Sequence, residues 1–344
     1  MKGRQIVLDH LAGREVAALL VNGQLDDLLI DVDEATPRPG AIFRAICDRP
    51  LKGQGGMMVR LPDGQTGFLR QGKGLRPGQP VLVQVTGFAE DGKAVPVTRR
   101  LLFKSRHAIV TPDAPGRNIS RQIRDEEIRV ALRPLAEEAA LPEGAGLILR
   151  SAAAEADPDE VAEDIAAMAD LAAAVLADEP GTDPEALTDG PGPHLAAWTE
   201  WTEAAAVETA PGGLERLGVL DQIDAARRPL VSLGAADMWV ETTRALVAVD
   251  VNTRSDTSPA AALKANLAAA RALPRALRLR GLGGQVTVDF APLSKAHRRE
   301  LEGALKAAVR ACPVETTFLG WTPLGHAELT RKRERVPLSQ LPQE

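Results

Sequence analysis

The sequence predicts an α+β protein built from several subdomains, and three observations support this prediction. Residues 37–103 contain short apolar runs separated by turn signals, a pattern typical of an all-β domain. Residues 157–177 are acidic and Ala-rich, with apolar side chains at helical spacing. Residues 245–293 contain two apolar runs around a helical pattern, which indicates a βαβ unit. A chain of 344 residues is long enough for two or three compact units.

The composition is that of a globular protein whose cores are mainly aliphatic. Hydrophobic residues make up 44% of the chain, whereas aromatic residues make up 3% and tyrosine is absent. There is no apolar stretch of membrane-spanning length and no basic-then-apolar leader, so we expect a cytoplasmic protein without a membrane span. Cys47 and Cys312 lie far apart without metal-ligand spacing, so we expect reduced thiols.

The net charge of −6 conceals two segments of opposite sign. Residues 151–210 contain 15 Asp/Glu and no Lys/Arg, which leaves a net charge of +9 on the rest of the chain. Residues 271–310 contain nine Lys/Arg and three acidic residues. A basic surface of this kind can follow the phosphates of a nucleic acid. A solvated helix face is the alternative for the basic window taken alone.

Residues 1–36 predict a β-meander. Two strand-like runs, Gln5–Leu8 and Glu15–Val21, are joined at Ala12-Gly13, and a turn at Gly23 leads to a third apolar run. No residue of this segment suggests a chemical role. Residues 37–40, Pro-Arg-Pro-Gly, mark the boundary to the next segment.

Residues 41–103 predict a small β-barrel of the OB type. A hairpin turn signal stands at Pro62-Asp-Gly64, and Pro77-Gly78 precedes the last predicted strand. Barrels of this size commonly bind single-stranded nucleic acid on a strand face. The predicted strands are 41–46, 57–61, 66–69 and 81–86.

Residues 104–150 place an arginine and a hydroxyl at the end of a short strand. A helix is predicted from about Asp125 to Ala140, and the run that follows ends in Arg150-Ser151. A guanidinium and a hydroxyl together suit a terminal phosphate, because the first pairs with it and the second donates a further hydrogen bond. Ordinary surface ion pairs are the alternative. Beyond the acidic helix we expect a loop over 179–193 and a short helix near Trp198.

The strongest chemical signal is a pair of aspartates at strand ends. One apolar run stops at Asp250, closely followed by Asn252, and the second stops at Asp289. Ser258 is the predicted N-cap of the helix between them. Parallel strands would bring both carboxylates to one sheet edge, where α/β sheets bind ligands. Two carboxylates and an amide suit Mg²⁺, which keeps water and phosphate oxygens as its other ligands. Aspartates that merely form turns or cap helices are the alternative.

Several separated segments, taken in order, resemble the ribonuclease E/G family. The matching residues are 245–253, 266–267, 277–284, 288–290 and 327–333. The resemblance implies a Mg²⁺-dependent endonuclease for single-stranded RNA, with Mn²⁺ as a substitute ion. It implies Asp250 and Asp289 as metal ligands and Asn252 as their support. One departure is visible: Arg244 stands where the family usually has glutamate.

The resemblance also implies a division of the chain into five parts. Residues 1–36 and 181–240 form the two parts of an RNase-H-like scaffold, the second of which is shortened. An OB-type RNA-binding barrel (37–103) and a 5′-phosphate sensor (104–180) are inserted between these two parts. A DNase-I-like α/β catalytic subdomain (241–344) follows. Arg121, Arg150 and Ser151 sit where the family senses an RNA 5′-monophosphate.

Five further residues are predicted to contact RNA. The family stacks bases on two aromatic side chains of the barrel; Phe68 matches one, and Met57 or Met58 stands near the place of the other. Lys93 stands in a turn of the barrel, and Arg278 and Arg280 belong to the basic window. Core packing is a serious alternative for Phe68, and turn lysines usually have no specific contact.

The sequence ends at residue 344, where the family usually continues into a zinc link and a further C-terminal domain, and we expect neither here. We therefore expect no structural zinc, and any homodimer to form through other surfaces. Two functions stay open. The first is an endoribonuclease of RNA processing or decay that leaves 5′-phosphate products and favours 5′-monophosphorylated RNA. The second is an RNA-binding protein whose nuclease activity is weak or lost. The retained Asp250, Asn252 and Asp289 favour the first, and Arg244 with the missing aromatic favours the second.

Overall fold

The predicted α+β architecture is present in the computed structural model, which describes residues 3–51, 53, 55–90 and 92–341. The strands are β1 (Arg4–Leu11), β2 (Arg14–Val21), β3 (Gln24–Ile30), β4 (Ile42–Leu51), β5 (Gly56–Arg60), β6 (Thr66–Leu69), β7 (Pro80–Val85), β8 (Val95–Thr98), β9 (Phe103–Lys104), β10 (Ala108–Thr111), β11 (Gly116–Ile119), β12 (Gly146–Leu149), β13 (Glu185–Thr188), β14 (Ala206–Glu208), β15 (Leu230–Ser232), β16 (Asp237–Thr242), β17 (Val247–Asn252), β18 (Gly284–Asp289), β19 (Thr316–Trp321) and β20 (Ala327–Arg331). The helices are α1 (Glu126–Glu138), α2 (Pro158–Ala177), α3 (Pro193–Glu200), α4 (Gly213–Arg216), α5 (Val219–Arg227), α6 (Pro259–Leu279) and α7 (Lys295–Ala311).

The chain divides into two compact units. One unit contains residues 1–31 and 205–344, and the other contains residues 32–204. In the described ranges, every helix is too short or too polar to cross a lipid bilayer.

The first unit contains two sheets. The N-terminal meander β1-β2-β3 is antiparallel, as predicted, and β14 adds to it in parallel beside β1. The second sheet has the order β15-β16-β17-β18-β20-β19, in which only β17 and β18 are parallel neighbours. Helix α6 connects these two strands, so the predicted βαβ unit is confirmed.

Local sequence explains where α6 begins. The Ser258 hydroxyl accepts a hydrogen bond from the Ala261 amide at 3.2 Å, and Pro259 occupies the first turn, where its missing N–H costs nothing. The helix then buries a stripe that includes Ala265, Ala269 and Leu273 against the valines of β17 and β18. Removal of this apolar surface from water is the main force that holds the sheet and helix together.

The second unit contains the predicted closed β-barrel. Strands β4-β5-β6-β8-β7 follow one another, and pairing of β4 with β7 closes the ring. Its interior is filled by aliphatic side chains, Val59, Val81 and Val83 among them. One prediction is wrong here: the segment 179–193 was expected to be a loop, but β13 within it pairs with the edge of β4.

The prediction that Met57 contacts RNA is also wrong, because its side chain belongs to the barrel core. It is 1% exposed and packs among the interior valines, so it cannot contact RNA. Successive strand residues point to opposite faces, and Met58 is therefore the methionine beside Phe68, with which it pairs across β5 and β6.

A smaller sheet, β11-β12-β10-β9, packs against α1 and α2 in the second unit. Both helices lie where the sequence predicts them. Asp125 caps α1 because its carboxylate accepts a hydrogen bond from the Glu127 amide at 2.9 Å. Asp157 caps α2 by accepting a hydrogen bond from the Asp159 amide, also at 2.9 Å. Strand β12 ends immediately before Arg150 and Ser151.

A buried ion-pair network joins α6 to the meander in the first unit. Asp27 of β3 is 2% exposed, and its carboxylate meets the Arg335 guanidinium at 3.0 Å and Arg278 Nε at 3.4 Å. Arg278 also reaches Asp26 at 2.9 Å. Buried charges of this kind are stable only when each has a partner of opposite sign.

This network corrects the predicted roles of Arg278 and Arg280. They are 6% and 9% exposed. Arg278 is bound to the two aspartates of β3, and Arg280 donates to the backbone carbonyls of Ala276 and Arg228. Neither guanidinium faces solvent, so neither is placed to contact RNA.

Asp27→Asn tests the network. The substitution keeps the shape but removes the charge that Arg335 and Arg278 face, and we expect the free energy of unfolding in urea to fall by about 3 kcal/mol or more. Asp224→Asn is the matched control, because Asp224 is exposed and its ion pair with Arg227 spans one helical turn. The control should change the unfolding free energy by less than about 1 kcal/mol. Equal losses in the two variants would contradict the proposed importance of the buried network.

Candidate functional site

Strand β17 presents Asp250 and Asn252 on one face of the sheet. Val249 and Val251 are 3% and 2% exposed and belong to the core, whereas Asp250 and Asn252 are exposed. The alternation follows from the two-residue repeat of a strand. The sequence run Val-Asp-Val-Asn therefore places one carboxylate and one amide together on the outer face.

Strand β18 brings the second carboxylate beside the first. Val288 is fully buried, and the next residue, Asp289, has a side chain that is 62% exposed. In the parallel ladder Asp250 and Asp289 are directly paired, so about 4.8 Å separates their strands. The structure thus brings together the three residues that the sequence singled out at this edge.

Asn252 is oriented by Asp250. Its Nδ2 atom donates a hydrogen bond to Asp250 Oδ2, so its carbonyl oxygen remains available as an acceptor. In the parts of the chain that the structure describes, no three His, Cys, Asp or Glu side chains cluster as a metal site. Two carboxylates with an amide oxygen nevertheless fit Mg²⁺, which needs only one or two protein carboxylates. The same set lacks the nitrogen and sulfur ligands that zinc prefers.

Asn266 fixes the chain immediately after Asp289. This residue of α6 is completely buried; its Nδ2 donates to the Ala291 carbonyl at 2.8 Å, and its Oδ1 accepts from the Ala291 amide at 3.0 Å. Both polar groups of a buried peptide are thereby satisfied, which an aliphatic side chain could not do. The helix therefore sets the position of the turn that carries the second carboxylate.

Arg254 fixes the chain after Asn252. Its backbone has a positive φ of 52°, a conformation that costs energy for a residue with a side chain. Its guanidinium donates to both Asp237 oxygens, at 2.7 and 2.8 Å, which ties the loop back to β16. Hydrogen bonding to Arg254 lowers the pKa of the Asp237 carboxyl.

His326 is a neighbour of the site that the sequence analysis missed. Its Nε2 atom lies 3.8 Å from Asp289 Oδ1, and its side chain is 33% exposed. It stands between β19 and β20, far from both aspartates in the sequence. Only the pairing of β20 with β18 brings it to the carboxylate, so no local pattern could have identified it.

Helix α7 carries a largely basic groove, which we define by the residues that line it: Lys295, Arg298, Arg299, Glu302, Gly303, Lys306 and Trp321. Its one carboxylate, Glu302, pairs with Lys306 and accepts a hydrogen bond from Trp321 Nε1 at 3.2 Å. The groove has a volume of about 390 Å³. On the opposite face of α7, Leu301 and Leu305 are completely buried, so the cations are confined to the outer face. Trp321 packs against Phe290, the buried residue that follows Asp289, with ring centroids 6.1 Å apart.

The cations of the basic groove are held in place by aromatic rings. The Arg298 guanidinium lies 4.8 Å from the ring centroid of Trp321, and the Lys306 ammonium lies 5.4 Å from that of Phe318. Neither Arg298 nor Arg299 has a carboxylate partner in the part of the chain that the structure describes. Arg299 is exposed and Arg298 is half-buried, so both are more accessible than Arg278 and Arg280.

The residues of the predicted 5′-phosphate sensor differ in their surroundings. Arg121 is exposed on the loop before α1. Arg150 donates to the carbonyls of Ser105 and Thr199, at 2.6 and 3.0 Å, and pairs with Glu200 at 3.0 Å. Ser151 begins a short 3₁₀ helix directly after it and is half-buried.

Glu200 occupies the anion position beside Arg150. Lys104 pairs with its other oxygen at 2.8 Å. Burial alone would raise the pKa of the Glu200 carboxyl, but Lys104 and Arg150 outweigh burial and lower the pKa below its usual value. The carboxylate therefore stays charged, and a phosphate that is to reach Arg150 must displace it.

In the barrel, Phe68 is half-buried and lies close to the backbone of Gly56, where a Cβ atom would collide with its ring. Lys93 is 65% exposed and pairs with Glu90 at 2.7 Å. Phe68 therefore presents part of one ring on the strand face, while Lys93 has an ordinary surface ion pair, the alternative noted for a turn lysine.

Comparison with known proteins agrees with the geometry. A model of the Ribonuclease E/G family matches residues 103–201 and 199–334. A Ribonuclease E of Nostoc sp. is 29% identical over 309 residues, which cover 78% of this chain and 45% of that protein. A Ribonuclease E of Synechocystis sp. is 26% identical over 98% of this chain and 58% of its own length.

A Ribonuclease G of Escherichia coli is 26% identical over 310 residues, 78% of this chain and 62% of that protein. The chain thus spans about half to three-fifths of the length of these relatives. The matched regions include the paired aspartates, the basic groove and the arginines at positions 121 and 150.

Proposed function

The chain belongs to the ribonuclease E/G family, and on this premise we propose that it is a Mg²⁺-dependent endoribonuclease that cuts single-stranded RNA and acts in RNA processing or decay. The observation that carries the proposal is the direct pairing of Asp250 with Asp289, with Asn252 on the same face. The reaction is hydrolysis of an internal phosphodiester that leaves a 5′-phosphate.

Each residue of the site has a defined task in this proposal. Asp250 and Asp289, paired on neighbouring strands, would hold Mg²⁺, and the hydrogen bond from the Asn252 amide to Asp250 fixes the two side chains relative to each other. Bound Mg²⁺ lowers the pKa of water and neutralises charge on the phosphodiester. Asn266 and Arg254 keep the two chain segments in register, so that the carboxylates do not have to reorganise when the substrate binds.

Each unit offers a surface that suits single-stranded RNA. The basic groove supplies the Arg298 and Arg299 guanidinium groups, which can contact phosphates of a bound RNA. The barrel, the proposed OB-type RNA-binding domain, offers Phe68 with Met58 beside it. A thioether in place of a second ring weakens stacking on this face.

The site arrangement also supports a preference for a 5′-monophosphate, and Glu200 is part of that proposal. Arg121 is exposed, and Arg150 with Ser151 lies at the end of β12. The carboxylate of Glu200 holds the anion position until a 5′-phosphate, with its greater charge and three acceptor oxygens, replaces it.

The second candidate function is an RNA-binding protein with weak or lost cleavage. Two observations favour it: Arg244, exposed near the start of β17, where the family usually has glutamate, and the occupation of Arg150 by Glu200. Internal cuts in RNA that require Mg²⁺ and are abolished by EDTA would support the nuclease. RNA that is bound but stays intact would support the second function.

Asp289→Asn and Asp250→Asn test the metal site. Each should lower the rate of Mg²⁺-dependent cleavage by about a hundredfold or more, because one of the two anionic ligands is lost. RNA affinity in EDTA should change little. Glu300→Gln is the matched control, an exposed carboxylate of α7 outside the basic groove, and it should cut at the parental rate. Cleavage at the parental rate by either aspartate variant would refute the metal assignment.

The double variant Arg298→Gln/Arg299→Gln tests the basic groove. Glutamine keeps the helix but removes two phosphate contacts, so the slope of log affinity against log salt concentration should decrease by about 1.4, at roughly 0.7 per contact with single-stranded RNA. Arg271→Gln/Arg310→Gln removes two exposed arginines outside the groove and should leave the slope unchanged. If both double variants shift the slope equally, the groove has no special role.

Arg121→Gln tests the proposed 5′ preference. The variant should cut a 5′-monophosphorylated RNA and its 5′-hydroxyl counterpart at the same rate, because the exposed guanidinium that pairs with the terminal phosphate is lost. Arg133→Gln is the control, since Arg133 is exposed on α1 and pairs only loosely with Glu126, at 3.9 Å. A parent protein that shows no preference between the two RNAs would refute this part of the proposal.

A further inference from the structure

We propose that Trp239 is a stacking platform for the nucleobase adjacent to the phosphate that is cleaved. The inference rests on the proposed function, because it places single-stranded RNA at Asp250 and Asp289. Trp239 is 39% exposed and pairs directly with Asp250 in the antiparallel ladder of β16 and β17.

The alternation of buried and exposed side chains along β16 shows which face of the sheet carries Trp239. Met238 and Val240 are 0% and 4% exposed and lie in the core. Trp239 therefore projects from the outer face, the face on which its partner Asp250 also lies. The Cβ atoms of such directly opposed residues are about 5 Å apart.

Trp239 begins a row of functional side chains that crosses the sheet. Asp250 follows on β17, Asp289 follows on β18, and His326 lies 3.8 Å beyond Asp289. Each step between strands is about 4.8 Å, so the whole row extends about 14 Å. An aromatic face thus lies one strand away from the nearer carboxylate, within reach of a nucleotide whose phosphate is held there.

The ring of Trp239 differs from the other tryptophan rings near basic residues. Arg106 lies over Trp198 at 4.1 Å, and Arg298 lies over Trp321 at 4.8 Å. In the described part of the chain, no cation or aromatic ring lies against Trp239. Its stacking surface is therefore available to a base.

The neighbouring charges favour RNA over an apolar protein partner. Leu230, which pairs with Trp239 on β15, is 40% exposed and extends the apolar surface. A protein that covered this surface would also have to bury the two exposed carboxylates, at a large desolvation cost. Single-stranded RNA brings a base for the ring and a phosphate oxygen, a ligand that suits the Mg²⁺ the carboxylates would hold, so it complements both the apolar and the charged part of the surface.

Trp239→Thr is the principal variant, because threonine keeps the preference for a strand but has no ring. We expect its affinity for a short single-stranded RNA, measured by fluorescence anisotropy in Mg²⁺ before cleavage proceeds, to fall roughly five- to a hundredfold. The salt slope should not change, because no phosphate contact is lost. Trp239→Phe should keep most of the affinity, and Trp198→Thr, a change at the other exposed tryptophan, should bind like the parent.

A double-mutant cycle identifies the stacked base. One nucleotide at a time is replaced by an abasic nucleotide, and each RNA is bound to the parent and to Trp239→Thr. At the base that stacks, the two changes together should cost no more than either alone.

The possible failures are distinguishable. Parental affinity in Trp239→Thr would overturn this proposal even if Mg²⁺-dependent cleavage were normal. Cleavage that is absent from the parent, together with a positive cycle, would overturn the nuclease and leave the stacking platform. If Trp239→Thr differs from the parent in molecular mass in solution but binds RNA equally well, the surface is a protein interface, and the proposal is overturned.

Discussion

The parallel register between β17 and β18 is the constraint on which the functional site depends. It pairs Asp250 with Asp289, and a slip of one residue would turn one carboxylate into the core and a valine into solvent. The register is held from three sides. Buried valines pack against α6, Asn266 binds the peptide at Ala291, and Arg254 ties the loop after β17 to Asp237. A metal site with only two carboxylates can be rigid because these other contacts position them.

The arginines of one basic window fall into two physical classes. Arg278 lies on the inner side of α6 and is neutralised by the aspartates of β3, so its charge serves to join the helix to the meander. Arg298 and Arg299 lie on the outer side of α7, and neither forms an ion pair in the described chain, although Glu302 lines the same groove. The same residue type thus stabilises the fold at one position and leaves its charge accessible to a polyanion at another, and the helix face decides which.

The sequence was sufficient for the parts of the fold that local patterns encode. The barrel, the meander, the helices α1, α2 and α6 and the βαβ unit follow from turn residues, caps and apolar periodicity. The parallel strands of the βαβ unit also bring the three candidate ligands together, as predicted. What depends on burial or on distant pairing could not be predicted in this way. Met57 and Met58 differ by one position, and only strand pairing shows which one is in the core. The partner of Arg278 lies about 250 residues away, and His326 meets Asp289 only through β20.

The most direct test of the central claim is Fe²⁺-directed cleavage of the protein backbone, with Fe²⁺ and ascorbate in place of Mg²⁺. Hydroxyl radicals form at the bound ion and cut the nearest peptide bonds. If Asp250 and Asp289 hold the metal, the cuts will cluster at 250–252 and 289–291, will be suppressed by excess Mg²⁺, and will be lost in Asp289→Asn. Cuts that Mg²⁺ suppresses but that map to other segments would contradict the account, since they would show that the metal binds elsewhere.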